Sequence, residues 1–490
     1  MKKDLNLITL HESKTIKDAM AQLQESGVRA VLIVDENNKL RGIVTDGDIR
    51  KALLEGKDMS FPVREIMIEN LKTATKDTPA TELLDIMLQL SILHIPILNK
   101  DGAVQGIALL SELKSIPLSS QDITTKEIDA INKVMASPYL SIGPQIKELE
   151  EVLAKFVGAK YAVAVNSGTS ALHLMMRSFN IKDGDEVITT PFSFIASANC
   201  ILFERAKPVF VDIDPETLCI DPARIEEKIT PRTKAILPVH VFGHPADMDP
   251  IREIAERHNL VIIEDSCEAL GSEYKGRKVG LLGNAGAFAF YPNKQITTGE
   301  GGIIVTNDGE VAKLCRSMRN QGRDEGDAWL SHSRLGYNYR MSELNAAVGV
   351  VQMERIEEII GKRSAVAAAY AKHLVGISGV SAPYISPDVK MSWFVYVVRL
   401  DADWFSRGDR DEIIKQLQVH GVSARNYFPP IHLEPFYVNT FGFKEGDFPI
   451  TEKISGSTIA LPFYNNLTEE EIIYITKTLK SVTEAIKNKP

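Results

Sequence analysis

The sequence has 490 residues, 44% hydrophobic and 25% charged, which is enough for about three domains or subdomains of ordinary soluble composition. Its formal net charge of −9 argues against nucleic-acid binding, and no segment suits a signal peptide or a membrane span. The cysteines form no CxxC pair, which predicts reduced thiols in a cytoplasmic protein rather than a disulfide framework.

The N-terminal part of the chain contains an internal repeat. Residues 15–42 align without a gap with residues 79–106, an offset of 64 residues. Each copy, about 1–60 and 61–116, is expected to form a helix, a strand, a polar turn, a second strand and a short helix. Because so small a unit buries its apolar face poorly alone, the two copies are expected to pack together.

This repeat resembles a tandem pair of CBS domains over residues 1–116. The first copy ends in GIVTDGD, where Thr45 and Asp48 match a family element whose hydroxyl and carboxylate hold a nucleotide ribose. The second copy has Leu109 and Glu112 at those places, so its site is expected to be weak or empty. The alternative is that Thr45 and Asp48 only cap the following helix.

Residues 117–126 are polar and lack periodicity, which predicts a linker. Beyond them, short apolar strands alternate with helices, which indicates a mostly parallel sheet covered on both faces. The large domain is expected over residues 127–360, and a smaller C-terminal α+β domain over 361–490, with a strand at 393–400 and a closing helix at 469–486. Seven strands of the large domain are predicted at 161–165, 186–190, 208–212, 234–239, 260–265, 285–291 and 302–306.

Three features follow the ends of predicted strands, where ligands of such sheets collect. Gly168, Thr169 and Ser170 open a helix and offer free amides to a phosphate, although Ser and Thr are also common helix caps. Asp265 ends another strand and could be a cap, a metal ligand or a partner for a cationic ring. Lys294 follows a third strand, as either a solvated loop charge or a Schiff-base nucleophile.

An amine nucleophile, a phosphate cradle and a carboxylate for a ring nitrogen are together what pyridoxal 5'-phosphate requires. Lys294 would hold this cofactor and move a proton, and Asp265 would keep the pyridine nitrogen protonated. His240 and His244 have a spacing that suits zinc on a helix, but a neighbouring glycine and proline break any helix there. No metal site is therefore predicted.

Residues 122–488 resemble the DegT/DnrJ/EryC1/StrS family of pyridoxal-phosphate-dependent sugar aminotransferases. The resemblance rests on the motifs NSGTSALHL, GDEVITTPFSFIASAN, IIEDSCEALGSEYKGRKVG, NKQITTGEGG and LGYNYRMSELNAAVG. It implies fold type I, the aspartate-aminotransferase-like α/β fold, with a seven-stranded, mostly parallel sheet. It also implies active sites at a dimer interface, so a homodimer or a dimer of dimers is expected.

The same resemblance implies roles for single residues. Lys294 matches the Schiff-base lysine, Asp265 the partner of the ring nitrogen, and residues 168–170 the phosphate-binding turn. Phe194 matches the aromatic residue that stacks on the cofactor ring. Asn338 matches a residue that reaches the phosphate of the neighbouring subunit's cofactor.

Two positions depart from the family pattern. Ala289 stands where the family usually has a serine that donates to the cofactor phosphate, so another donor is expected to replace it. Glu268 stands where the family often has a glutamine near the cofactor's phenolic oxygen, and a carboxylate there would be repelled unless one of the two groups is protonated. Members with histidine in place of the lysine are dehydrases, so Lys294 argues against that chemistry.

These observations predict a cytoplasmic aminotransferase that moves an amino group, expected to come from glutamate, to a nucleotide-linked 4-keto-6-deoxy sugar. The product would serve surface polysaccharide or glycan synthesis, and the N-terminal repeats would bind a regulatory nucleotide. No nucleic-acid or membrane partner is expected. Within the enzyme class, the alternative is transamination at C3 of the sugar. From another class, the alternative is a non-catalytic sensor that keeps the fold and binds nucleotides.

Overall fold

The computed structural model describes residues 5–90, 92–110, 113, 116–324, 326, 328 and 331–487. The chain forms two compact units, residues 1–116 with 416–423, and residues 117–415 with 424–490. No helix in the described part of the chain is long and apolar enough to cross a membrane.

The repeat unit contains nine α-helices and β-strands among its described N-terminal residues. They are α1 (Leu5–Ile8), β1 (Thr9–His11), α2 (Ile16–Ser26), β2 (Ala30–Val34), β3 (Leu40–Thr45), α3 (Asp46–Leu54), α4 (Ala80–Leu90), β4 (His94–Leu98) and β5 (Val104–Leu109).

The two copies of the repeat share one arrangement, in which a helix precedes an antiparallel hairpin. Helix α2 precedes β2 and β3, and α4 precedes β4 and β5, with a register shift near the same end of each hairpin. One apolar cluster joins Leu32 and Ile43 of the first copy to Val104 and Leu109 of the second, which confirms that the copies pack together. The short helix expected at the end of the second copy lies partly outside the described residues.

The next part of the chain contains the α-helices α5 (Thr125–Met135), α6 (Pro144–Val157), α7 (Gly168–Ser178), α8 (Ala196–Leu202), α9 (Met248–His258) and α10 (Gly309–Arg319). The strands of this part are β6 (Tyr161–Val165), β7 (Glu186–Thr189), β8 (Lys207–Phe210), β9 (Thr233–Ile236), β10 (Val261–Asp265), β11 (Glu273–Tyr274), β12 (Arg277–Lys278), β13 (Ala285–Ala289) and β14 (Gly302–Thr306).

A seven-stranded sheet forms the centre of the second unit, in the order β6-β14-β13-β10-β9-β7-β8. Strand β14 is antiparallel to both neighbours, and the other pairs are parallel. Successive residues of β14 are all buried, and because successive side chains point to opposite faces, both faces of the sheet are covered. The predicted seven-stranded, mostly parallel sheet is confirmed.

The C-terminal part continues with α11 (Glu343–Glu354), α12 (Ile356–Leu374), β15 (Val380–Ser381), β16 (Val389–Lys390), β17 (Tyr396–Leu400), α13 (Arg407–Val419), α14 (Pro435–Phe441), α15 (Pro449–Ser457), β18 (Thr458–Leu461) and α16 (Glu469–Lys487). Strands β15, β17 and β18 form a small antiparallel sheet, and α16 packs against α12. The position expected for the domain boundary, residue 360, lies inside α12, which runs without a break from the large domain into this region.

Candidate active site

A cavity of about 590 Å³ lies where β6, β7, β10 and β13 end. Ligands of open α/β sheets bind in this place, beyond the carboxyl ends of the parallel strands. The cavity wall includes seven of the residues singled out from the sequence: Gly168, Thr169, Phe194, Asp265, Glu268, Ala289 and Lys294. The structure therefore brings together the helix start, the carboxylate and the lysine that come from three separate parts of the chain.

The start of α7 presents backbone amides to this cavity. Ser167 caps the helix, and its Oγ accepts a hydrogen bond of 3.1 Å from the Ser170 N–H. The Ser170 hydroxyl donates to Asn166 Oδ1 at 2.7 Å, so that hydroxyl is committed to the turn and lies outside the cavity wall. Gly168 and Thr169 do line the wall, and the first N–H groups of a helix have no partner within it, which suits a bound phosphate.

Gly168 packs directly against the strand that leads to the lysine. A Cβ at this position would lie 2.7 Å from Ala289 Cβ and 3.0 Å from Cys267 Sγ, so only glycine fits. Ala289 is itself in the cavity wall and has no hydrogen-bond donor on its side chain. The replacement donor expected for the family's serine stays a prediction.

Asp265 is the last residue of β10 and is 5% exposed. Its Oδ2 accepts from the Ser197 hydroxyl at 2.7 Å, and its Oδ1 accepts from the Cys267 N–H at 3.1 Å. The Ser193 hydroxyl lies 2.8 Å from that of Ser197 and extends this chain of polar groups. These bonds fix the orientation of the carboxyl group, whose oxygens still have lone pairs for a ring N–H in the cavity.

Lys294 lies in the turn between β13 and β14. Its Nζ is 3.4 Å from Glu268 Oε1 and 3.8 Å from the centre of the Phe394 ring. The side chain is 13% exposed, which is not the environment of a solvated loop charge. The amine is therefore enclosed at the cavity wall, with an aromatic face on one side and a carboxyl group on another.

Glu268 is buried beside this amine. Its Oε2 accepts from the Phe242 N–H at 2.9 Å, and burial raises the pKa of the Glu268 carboxyl, although the nearby Lys294 amine opposes that rise. Phe242 has a φ of 58°, in the left-handed region that a bulky residue adopts only under constraint. A protonated Glu268 would remove the repulsion between a carboxylate and a phenolic oxygen.

The residues of the cavity fit pyridoxal phosphate. They supply an amine, a carboxylate with lone pairs to spare and a helix start with free amides. In addition, the Oδ1 atom of Asn293 in the cavity wall is buried and has no hydrogen-bond partner among the described residues. A buried acceptor without a partner is costly, so it indicates a ligand or water that donates to it.

Thr45 and Asp48 form a reciprocal cap at the start of α3. The Thr45 N–H and hydroxyl both donate to Asp48 Oδ2, at 2.8 and 2.6 Å, and the Asp48 N–H donates to Thr45 Oγ1 at 3.4 Å. The capping role is thus present, and nucleotide binding stays a prediction. Leu109 is buried at the end of β5, and Glu112 lies outside the described residues.

Asn338 is not part of the cavity wall described for its own chain and instead pairs with Asn320 through the backbone. Its expected role in a neighbouring subunit's site stays a prediction.

His240 contacts Glu264 at 3.0 Å, and His244 Nδ1 contacts the Pro245 carbonyl at 2.8 Å. Within the described ranges, no three His, Cys, Asp or Glu side chains are grouped to hold a metal ion.

Several residues of the cavity wall were not identified from the sequence. Ser197 could have been, because it lies one helical turn after Phe194 in a segment already singled out. Phe394 and the segment from Asn426 to Pro429 come from the C-terminal region. No local pattern in those stretches signals a site, because their place in the wall depends on tertiary packing.

The sequence profile of the DegT/DnrJ/EryC1/StrS aminotransferase family matches residues 121–480. The chain belongs to this family. The CBS domain profile matches residues 1–55 and 63–118, so this aminotransferase carries a pair of CBS domains ahead of its catalytic region.

Two relatives of this aminotransferase have names that refer to nucleotide-linked amino sugars. GDP-perosamine synthase of Caulobacter vibrioides is 39% identical over 375 residues, which cover 76% of this chain and 100% of that protein. The dTDP-3-amino-3,4,6-trideoxy-alpha-D-glucose transaminase of Streptomyces venezuelae is 36% identical over 359 residues, 73% of this chain and 92% of that protein.

Solved structures agree with this assignment. The PLP form of Spr1654 from Streptococcus pneumoniae superposes with a TM-score of 0.73 at 29% identity, covering 76% of this chain and 99% of that chain. The fold is therefore type I of the pyridoxal-phosphate-dependent transferases, and the cofactor is pyridoxal phosphate. The protein is a sugar-nucleotide aminotransferase.

Proposed function

We propose that this aminotransferase moves an amino group from glutamate to the keto carbon of a nucleotide-linked 4-keto-6-deoxy sugar. The observation that carries the proposal is the single cavity in which Lys294, Asp265 and the start of α7 meet. The GDP- and dTDP-linked sugars in the names of two relatives support a nucleoside-diphosphate sugar as acceptor. The product would enter surface polysaccharide or glycan synthesis in the cytoplasm, where free cysteines such as the four in this chain stay reduced.

Bound pyridoxal phosphate would supply an electron-withdrawing ring that carries the amino group from one substrate to the other. Lys294 Nζ would hold the cofactor and, once released, move a proton at the reacting carbon in each half of the reaction. Asp265, fixed by Ser197, would hold a proton on the ring nitrogen. Phe194 and Phe394 would shield the reacting atoms from water.

Transamination at C3 of the sugar is the second candidate, because the Streptomyces venezuelae relative is named for a 3-amino sugar. The two are separated by incubating the enzyme with glutamate and UDP-, GDP- and dTDP-linked 4-keto and 3-keto sugars. The position of the new amine is then read from the NMR spectrum of the product. Turnover of 3-keto sugars alone would reject the C4 proposal, and turnover of neither would reject both.

We also propose a homodimer in which Asn338 completes the partner's site. Among the described residues of the cavity wall, Lys294 is the one basic side chain, whereas Asp265, Glu268 and Glu300 are acidic. A phosphate, a dicarboxylate donor and a sugar diphosphate all carry negative charge. Hydrogen-bond donors from a second subunit would help to bind these anions beside the acidic side chains of this wall.

The dimer proposal predicts complementation between two inactive variants. Lys294→Ala and Asn338→Ala homodimers should each be impaired, the second by about 10- to 100-fold if Asn338 bonds a charged phosphate. After subunit exchange of an equal mixture, about a quarter of wild-type activity should return, because half of the dimers are hybrids with one intact site. The measurement is the initial rate before and after exchange. No recovery, with hybrid dimers verified by native mass spectrometry, would reject a role for Asn338 across the interface.

For the CBS domains, we propose one regulatory nucleotide per chain at Thr45 and Asp48. Both bonds from Thr45 go to Asp48 Oδ2, so Oδ1 takes no part in the cap and could accept from a ribose hydroxyl. The buried, apolar Leu109 lacks the matching hydroxyl in the second copy. The coupling free energy between nucleotide binding and substrate binding would be about 1–3 kcal/mol. Each ligand would then change the affinity for the other by the same factor.

Calorimetric titration with adenine and guanine nucleotides tests this site. Wild type should bind one nucleotide per chain, and Asp48→Ala should weaken binding at least about tenfold through the lost hydrogen bonds. Asp18→Ala is the matched control, because Asp18 forms the same cap with Thr15 at α2 and its loss should cost similar stability without affecting the nucleotide. Equal binding by wild type and Asp48→Ala, or no binding at all, would contradict the proposal.

A further inference from the structure

Gln352, on α11, is a buried amide whose hydrogen-bonding atoms are all engaged. Its Oε1 accepts from the Thr297 N–H at 3.3 Å. Its Nε2 donates to the Asp122 carbonyl at 3.0 Å and to Glu127 Oε1 at 2.7 Å. The side chain is 2% exposed, so these protein groups, and not water, satisfy it.

These partners fix the orientation of the amide. Turning Gln352 over would place its NH2 group against the Thr297 N–H and its oxygen against a carbonyl and a carboxylate. All three contacts would then be repulsive. A glutamate at this position would place a second carboxylate beside Glu127. The site therefore requires a group that accepts on one side and donates twice on the other.

On its accepting side, the amide contacts the turn that carries the lysine. Thr297 lies three residues after Lys294, and its hydroxyl donates to the Phe290 carbonyl at 3.0 Å and accepts from the Gly299 N–H at 2.9 Å. Thr297 thus joins the two ends of the turn, and Gln352 fixes the backbone of Thr297. An amine that holds a cofactor must be placed to within about 0.5 Å, so a fixed turn matters for its reactivity.

On its donating side, the amide contacts the segment 122–127, by which the chain enters the catalytic unit after the CBS domains. Arg355 donates to Asp122 Oδ1 at 2.9 Å and to Glu127 Oε1 at 2.7 Å, and Lys362 donates to Asp122 Oδ2 at 3.0 Å. Although burial opposes ionisation, these donors and others hold the pKa of Asp122 at about 2 and that of Glu127 at about 2. Both carboxylates are therefore ionised and firmly held.

We propose that Gln352 is a positioning residue for Lys294, and that through its amide the segment 122–127 sets the position of the lysine turn. The proposal rests on the proposed role of Lys294 and extends it to regulation. A change at the CBS domains that displaced residues 122–127 would reach the lysine by two hydrogen-bonded steps, both buried. Because the three groups belong to one described unit, the path can be tested without any sugar substrate or nucleotide.

Gln352→Met tests the positioning role, because methionine keeps the volume and removes all three hydrogen bonds. Hydrogen–deuterium exchange of the peptide spanning 295–302 in the cofactor-free protein should accelerate by about 3- to 30-fold. In the holoenzyme, the pH midpoint of the bound cofactor's absorption should move by roughly half a unit, and kcat should fall by about the same 3- to 30-fold with the donor KM little changed.

Thr476→Val is the matched control, since it removes a buried hydroxyl whose hydrogen bonds lie within α16. It should lower the melting temperature without moving the exchange of the lysine turn, the absorption midpoint or kcat. If Gln352→Met behaves like Thr476→Val, with a lower melting temperature and nothing else changed, the amide is merely structural and the positioning role is wrong.

Asp122→Ala tests whether the segment 122–127 is coupled to the turn that carries Lys294. If Gln352→Met does not fold, this variant alone tests the proposal. It removes the anchors from Arg355 and Lys362 and leaves the Asp122 carbonyl in place. Exchange should accelerate in the peptide spanning 117–135 and also in that spanning 295–302. Acceleration in the first peptide alone would overturn the coupling. The exchange and absorption measurements use no keto sugar, so a wrong substrate assignment would leave them unaffected.

Discussion

Replacing Lys294 with alanine is expected to abolish covalent attachment of pyridoxal phosphate and to lower multiple-turnover transamination by about 10²–10⁴-fold or more. The structure gives the reason, because Lys294 Nζ is the one amine at the wall of the described cavity and lies against Glu268 and Phe394. Borohydride reduction followed by peptide mapping should label Lys294 in wild type and nothing in the variant.

Arginine should not rescue this position, since a guanidinium is not deprotonated in proteins and cannot attack a carbonyl carbon. Lys160→Ala, at an exposed lysine just before β6, is the matched control and should keep both label and activity. If Lys294→Ala retained full turnover, Lys294 would not be the lysine that holds the cofactor. A wild-type protein that binds the cofactor but turns over no amino donor would instead favour the non-catalytic sensor.

How far the sequence predicts this site depends on how local each signal is. The seven strands are short apolar runs bounded by turn residues, so their bounds are found within a few residues of those expected. Lys294 and Asp265 follow such runs, and the sheet topology alone then brings them to one edge. These signals do not depend on distant parts of the chain.

Other features of the site depend on contacts that no window of sequence contains. Glu268 is held by the N–H of Phe242, which requires a left-handed backbone that phenylalanine does not favour locally. Polarity made residues 117–126 look like a linker, yet Asp122 in that stretch and Glu127 just after it are buried, because Arg355 pairs with both carboxylates, whereas Ile123 between them is exposed. Arg355 and Glu127 are more than 200 residues apart in the sequence, so the composition around Glu127 does not reveal that the two side chains pair.

Asp265→Asn is expected to lower kcat by about 10²–10³-fold while Lys294 still binds the cofactor. Asparagine keeps the size of the side chain and one acceptor for Ser197, but it has no charge to hold a proton on the ring nitrogen. Without that proton the ring withdraws electrons poorly, so the proton transfer at the reacting carbon slows. The loss should therefore lie in the chemistry, and borohydride labelling of Lys294 should be retained.

Ser197→Ala separates the charge of Asp265 from its placement. It removes the 2.7 Å hydrogen bond to Oδ2 and leaves the carboxyl group itself, with the bond from the Cys267 N–H still in place. A hydrogen bond to a charged group contributes about 1.5–3 kcal/mol, which limits the loss in kcat to about 10- to 100-fold, so the loss should be smaller than that of Asp265→Asn. If Asp265→Asn kept kcat within a few-fold of wild type, the carboxylate would not act on the ring, and Asp265 would only cap the end of β10.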